Sequence, residues 1–157
     1  MGIGDRGVPH CGYESEVYIM EFIVNGKPQG KARARTFYNS KIGKMQSITP
    51  EQTRSYEELI RWSYKASGGK YLGEAPIILQ ITVEYSIPAS WSKGKRELAL
   101  SGKIYPTVKP DCDNIAKSVL DALNGVAYYD DKQVIGLALQ KSYAEKSRLI
   151  VNIEVME

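Results

Sequence analysis

Residues 77–86 read IILQITVEYS, and apolar side chains alternate with mostly polar ones along this stretch. Successive side chains of a β-strand point to opposite faces, so a period of two predicts a strand with one buried face. The same period recurs in residues 18–24, 134–139 and 149–155. We therefore expect about four strands, and we expect the last two, connected by residues 144–147, to form an antiparallel hairpin.

Two helices are predicted between these strands. Residues 49–52, TPEQ, are typical of a helix start, with the threonine as cap, the proline in the first position and the glutamine closing a capping box. This helix should run to about Ala66 and stop at Gly68-Gly69. A second helix should begin near Asp113, carry an apolar stripe, and end at Asn124-Gly125.

Strands and helices follow one another without strict alternation, which favours the α+β class. The chain has 157 residues, a length that suits one domain with its own hydrophobic core. We predict a single domain over residues 20–157, a mixed sheet of about four strands with two main helices packed on it. Residues 1–19 show little periodicity, and we interpret them as an N-terminal extension or tail.

The composition excludes several kinds of chemistry. There is one histidine, and the two cysteines do not form a C-x-x-C pair, which argues against a disulfide framework, a thiolate zinc site and most histidine catalysis. No apolar run approaches the roughly 20 residues that a membrane helix needs. The N-terminus lacks the layout of a secretory signal, so a cytoplasmic protein with no membrane association is expected.

Charge is unevenly distributed along this chain, whose net charge is +3. Between Phe22 and Pro50 there are six cations and no acid, and a second basic cluster surrounds Glu97. The first group contains Lys31, Arg33 and Arg35, and the second contains Lys93, Lys95 and Arg96. Two basic segments predict that a polyanion such as nucleic acid lies on this protein, although a solvated surface is the ordinary alternative.

Acids concentrate in residues 109–131, KPDCDNIAKSVLDALNGVAYYDD. In an extended segment Asp111 and Asp113 would share a face, with about 7 Å between their Cα atoms. If the strand after Asp131 pairs beside them, its carboxylate completes a cluster of oxygen ligands that suits Mg²⁺ or Mn²⁺. A metal bound there would activate water for phosphodiester hydrolysis, and Lys117, on the same helix as Asp113, could hold a phosphate oxygen.

Each of these residues also has an ordinary structural interpretation. Asp113 could be a plain helix cap, Asp130-Asp131 a turn before a strand, and Lys117 a solvated surface lysine. Trp91, beside the second basic cluster, could stack on a base, although core packing is the commoner use of a tryptophan. From the residues alone, metal binding and these alternatives are about equally supported.

The acidic segment nevertheless resembles the RusA family of Holliday-junction resolvases. The similar elements are KPDCDNIAK at 109–117, LDALNGV at 120–126 and DDKQV at 130–134. GKARAR at 30–35 is similar to the family's basic motif, with Ala34 where a proline often stands, and WSKGKR at 91–96 is similar too. The combination D-x-D-N-x-x-K followed by D-D is far more specific than D-x-D alone.

This resemblance implies a function and a set of site residues. It implies metal ligation by Asp111, Asp113 and Asp131, with Mg²⁺ as cofactor and Mn²⁺ as a substitute, and a catalytic role for Lys117. Asp130 would neighbour the third ligand or share its role. The resemblance also implies a homodimer of prophage origin that binds four-way junction DNA and nicks two strands of like polarity.

Two kinds of alternative function differ from a junction nuclease. A structure-specific DNA-binding protein that does not cut would use the same basic segments, but its acidic cluster would repel the phosphates of the DNA. Other D-x-D enzymes fit less well. Aspartyl phosphatases place D-x-D after an apolar strand, whereas residues 104–110 read IYPTVKP, and sugar-nucleotide transferases usually need longer chains.

Overall fold

A computed structural model describes residues 18–156 of the chain. The strands are β1 (Ile19–Asn25), β2 (Arg35–Asn39), β3 (Lys44–Ile48), β4 (Ile77–Ser86), β5 (Val134–Ala144) and β6 (Arg148–Val155). The helices are α1 (Glu51–Ala66), α2 (Lys93–Leu100), α3 (Cys112–Leu123) and a short 3₁₀ helix over Asp131–Gln133. The α+β class and the four-stranded mixed sheet are confirmed. The predicted tail lies, apart from its last two residues, outside the described residues.

The main sheet has the strand order β1-β6-β4-β5, and β4 is the more buried of its two inner strands. β4 pairs antiparallel with β6 and parallel with β5, while β6 also pairs antiparallel with β1. The alternate residues Ile77, Leu79, Ile81, Val83 and Tyr85 of β4 are all buried, as their period of two predicted. Apolar side chains from α1 and α3 cover this face and complete one core.

The predicted hairpin of β5 and β6 is wrong, because β4 lies between the two strands. The connection after β5 crosses the end of β4, where the Ser147 hydroxyl oxygen accepts a hydrogen bond of 2.9 Å from the Ser86 backbone N–H. A short connection was compatible with direct pairing, but β4 carries five buried apolar side chains and occupies an inner position, whereas no residue of β5 is fully buried. β5 is left as an edge strand, and Ile135 and Leu137 are exposed on it.

The first predicted helix start is shifted by one residue. Pro50, not Thr49, occupies the cap position of α1, and no side chain makes a capping hydrogen bond there. The carbonyl of Pro50 instead accepts the first backbone hydrogen bonds, from the N–H groups of Thr53 and Arg54. The predicted end is confirmed, since α1 ends at Ala66 and Gly68 follows with a φ of +84°.

Four elements were not predicted from the sequence, and one of them is the 3₁₀ helix over Asp131–Gln133. α2 lies within the second basic cluster, and β2 and β3 form a separate two-stranded sheet within the first basic segment. Among the helices described, none is long and apolar enough to cross a membrane.

Candidate nucleic-acid and metal site

A cleft of about 350 Å³ separates two segments of the chain that are far apart in sequence. Residues 27–31 form one wall, residues 109–111 with Asn114 form the other, and Gln52 of α1 also lines it. The walls meet closely at Gly30, where an added Cβ atom would lie 2.7 Å from Pro110 Cβ and 2.9 Å from Asn114 Cβ. The Lys31 backbone N–H also donates to the Asn114 carbonyl at 3.0 Å. The cleft therefore lies where the first basic segment and the acidic segment are in direct contact.

Asp111 lines this cleft and occupies the cap position of α3, with an extended backbone. Its side chain makes no capping hydrogen bond, so the carboxylate oxygens are not consumed by the helix end. Asp113 follows in the first helical turn. The positive end of a helix dipole stabilises carboxylates at these two positions. The alternative that Asp113 is the cap is wrong by two residues, because α3 begins at Cys112.

Lys141 of β5 holds the backbone just before Asp111. Its ammonium donates to the carbonyls of Val108 and Pro110, at 2.7 and 2.6 Å. Register places Lys141 opposite Val83, on the face that the helices cover. Sequence analysis missed this residue. Its signal was a lysine at a position where the period of β5 calls for an apolar side chain.

Asp130 and Asp131 lie on the turn that leads into β5. The Asp130 carboxylate accepts a hydrogen bond of 3.0 Å from the Lys132 N–H, and the Gln133 side chain accepts one of 2.8 Å from the Asp130 N–H. Asp130 is therefore the cap of the 3₁₀ helix, in a reciprocal capping box. Asp131, the next residue, is in the first turn of that helix.

The side chain of Tyr128 is fully buried, and the charges of Asp131 and Asp121 both influence its hydroxyl. Burial raises the pKa of Tyr128, and the negative charges of Asp131 and Asp121 raise it further. Tyr128 donates its proton to the Leu120 carbonyl at 2.9 Å. The carboxylates of Asp131 and Asp121 thus both lie close enough to Tyr128 for their charges to act on it.

The structure does not bring the three predicted ligands into one complete group. Within residues 18–156, no three His, Cys, Asp or Glu side chains lie close enough together to hold a metal ion. The shared metal site of Asp111, Asp113 and Asp131 stays a prediction. Its donor chemistry fits a hard divalent cation, since all three residues offer oxygen ligands and Asp111 has no capping bond.

Lys117 lies on α3, and its ammonium is 3.3 Å from the Asp121 carboxylate. The other oxygen of Asp121 is 2.5 Å from the Lys31 ammonium, which also lies 2.9 Å from Glu57 of α1. Although partial burial lowers it, hydrogen bonds to Asp121 and Glu57 produce a net rise in the pKa of Lys31. Lys31 therefore links the first cleft wall to both helices, and its charge is already paired.

The other predicted DNA-binding residues fall into two groups, those that are exposed and those whose side chains contact other groups of the protein. Arg33 and Arg35 are exposed. In the second cluster the Lys95 ammonium lies 3.8 Å from the centre of the Trp91 ring, and Arg96 donates to the Pro88 carbonyl at 3.3 Å. Lys93 is exposed at the start of α2.

Trp91 makes contacts within the protein. The edge-to-face arrangement of its ring with Tyr143 of β5 has a centroid separation of 5.1 Å. With Lys95 over the ring as well, these contacts support the packing interpretation of Trp91 over base stacking.

Comparisons with known proteins give a family and a relative. The family model described as endodeoxyribonuclease RusA matches residues 25–154. The uncharacterized protein YqaN of Bacillus subtilis strain 168 is 32% identical to this chain over 136 residues. That alignment covers 85% of this chain and 94% of the B. subtilis protein.

Proposed function

Because the chain belongs to the RusA endodeoxyribonuclease family, we propose that it is a Mg²⁺-dependent nuclease that resolves four-way DNA junctions by paired, symmetric nicks. The observation that carries this proposal is the cleft, which Asp111 lines together with Lys27 and Lys31 of the first basic segment. A DNA strand held by the cations would bring its phosphate to the acids.

In this mechanism Asp111, Asp113 and Asp131 would hold the metal, and Mn²⁺ could replace Mg²⁺ because both accept oxygen ligands. A cation held there would supply an activated water and would offset negative charge at the phosphate. Lys117 contributes a positive charge toward the scissile phosphate or the leaving oxygen. Asp121 holds the Lys117 ammonium at 3.3 Å and so limits the positions it samples.

Backbone phosphates of the junction arms are bound by the exposed cations. Arg33 and Arg35 serve the first basic segment, and planar guanidinium groups hold phosphate oxygens in pairs. Lys93, Lys95 and Arg96 serve the second. Lys31 acts from within the cleft, where its pairing with Glu57 and Asp121 holds the wall in place.

The nuclease works as a homodimer, since two nicks in a symmetric junction need two sites. We place the contact at the β5 edge, where the outer backbone groups have no strand partner within residues 18–156. Ile135 and Leu137 are 64% and 46% exposed there. Lys141 is the only charged residue of β5, and its ammonium bonds inward to the 108–110 backbone. An edge strand with exposed apolar side chains and no outward charge is suited to pairing with a second copy of the chain.

The test is cleavage of a synthetic four-way junction and of a matched duplex, with and without Mg²⁺. The parent should cut only the junction and only with metal. Asp111→Asn should bind the junction with equal or greater affinity but not cut it, because less negative charge faces the phosphate. Glu145→Gln is the matched control, since this exposed acid lies in the connection between β5 and β6 and has no part in the proposed site, so the change should preserve cutting.

A non-cleaving, structure-specific DNA-binding protein is the second candidate function. The exposed basic residues support it equally. Junction binding without any cleavage at millimolar Mg²⁺ or Mn²⁺ would establish this function in place of the nuclease.

A further inference from the structure

The hairpin of β2 and β3, residues 35–48, is a separate surface, and Arg35 is the one residue of it to which the proposed mechanism gives a role. Its two strands pair only with each other within the described structure, in the register Arg35↔Ile48 to Asn39↔Lys44. Nearly every residue along both strands is exposed. The hairpin therefore contributes little to the core, and its side chains are available for a partner.

The charge of this hairpin specifies a polyanionic partner. Its sequence, RTFYNSKIGKMQSI, contains Arg35, Lys41 and Lys44 and no acid. A surface with cations and no acid is complementary to a nucleic-acid backbone.

Phosphate binding does not account for the apolar side chains on one face. Register pairs Tyr38 with Met45, and they are 63% and 64% exposed. Thr36 and Ser47 are the neighbouring pair on this face. On the opposite face Phe37 and Ile48 line a pocket with the start of α1. The Tyr38–Met45 face is the one turned away from the protein body.

Tyr38 and Met45 are not what holds the hairpin together. The Asn39 side chain donates to Gln46 across the strands at 2.8 Å and accepts from the Lys41 N–H at 3.0 Å. Gly43 completes the turn with a φ of +64°, a conformation that glycine adopts without strain. Polar contacts on the other face thus form the hairpin and leave this apolar pair free to contact a ligand.

We propose that the Tyr38–Met45 face of the hairpin stacks against unstacked bases at the branch point of junction DNA. The proposal rests on the proposed function for the choice of DNA. Aromatic rings stack on bases without regard to sequence, while Lys41 and Lys44 hold the flanking phosphates. Regular duplex offers no open base face, so this contact favours the branch point.

Binding without cleavage tests this contact. A four-way junction with 2-aminopurine at the branch point is titrated with the full chain in EDTA, and a matched duplex serves as the second ligand. Parent protein and Tyr38→Phe should change the 2-aminopurine emission and prefer the junction. Tyr38→Ala should lose the emission change and bind the junction roughly 5- to 100-fold more weakly, with little change on duplex.

Lys44→Ala is the matched control from the same hairpin. It should weaken junction and duplex alike, and at saturation it should keep the emission change. Melting curves should be unchanged for both alanine variants, because Tyr38 and Lys44 are exposed. Parental affinity and emission for Tyr38→Ala, or an equal loss on duplex, would overturn the base contact.

The same preparations are assayed for cleavage with Mg²⁺, which separates the two proposals. If the parent protein shows the emission change but does not cut, the proposed nuclease function is contradicted and the hairpin contact is supported. If the parent protein cuts junctions while Tyr38→Ala retains the full emission change, only the hairpin contact is contradicted. A parent that does not bind the junction overturns both.

Discussion

Substituting Gly30 by alanine should drive the two walls of the cleft apart. The added Cβ would lie 2.7 Å from Pro110 Cβ and 2.9 Å from Asn114 Cβ, whereas ordinary contacts are 3.4–4 Å. Pro110 is a rigid ring, and Asn114 lies on α3, so neither neighbour can move away cheaply. The φ of Gly30 is not positive, so the backbone itself tolerates alanine and the effect is purely steric.

The expected cost is that of overpacking, about 1–3 kcal/mol in the free energy of unfolding. For a chain of this size, that loss lowers Tm by roughly 3–10 °C. Because Asp111 directly follows Pro110, displacement of this wall should also lower junction cleavage at saturating DNA and Mg²⁺. Thermal unfolding followed by circular dichroism and a single-turnover cleavage assay measure the two effects.

Gly94→Ala is the control. Gly94 lies in α2 with nothing within 4 Å of an added Cβ, and its φ is not positive. Alanine there should stabilise the protein by about 0.5–1 kcal/mol through helix propensity and leave cleavage unchanged. A Gly30→Ala variant with parental Tm and parental cleavage would refute the close packing of the two walls.

Three further predictions address catalysis, assembly and pH. Lys117→Ala should lower kcat for junction cleavage by more than it weakens junction binding, and an unchanged rate at saturation would reduce Lys117 to a surface lysine. Leu137→Asp should convert the dimer to a monomer in light scattering while the circular dichroism spectrum stays that of a folded protein, whereas a parent that is already monomeric contradicts the β5 contact. Burial raises the pKa values of Tyr56 and Tyr64 from 10.0 to about 12, so their contribution to stability should be complete below pH 10 and decline between pH 10 and 12. Urea unfolding at a series of pH values checks this, and a midpoint constant through pH 11.5 would contradict it.

The local elements of this protein could be predicted because their causes are local. A period of two identified the buried face of β4 from Ile77 to Tyr85. Gly68 predicted the end of α1 because glycine readily adopts the positive φ that is found there. The residues 109–113 also placed their acids near a helix start without any knowledge of the rest of the chain. α2 and the β2–β3 hairpin were missed, since their residues are mostly exposed and lack a strong apolar period.

Strand order and the partners of charged side chains were decided only in three dimensions. A strand's apolar period specifies which face is buried but not which strand lies beside it, so β4 could enter between β5 and β6. Lys31 looked like a free cation, but Glu57 and Asp121 approach it from two helices, 26 and 90 residues away in sequence. Lys141 bonds to carbonyls more than 30 residues away. The sequence by itself therefore determined the strands of the main sheet and the two helices packed on it, because their apolar periods are local. Packing between distant segments decided the strand order and which charges are already paired.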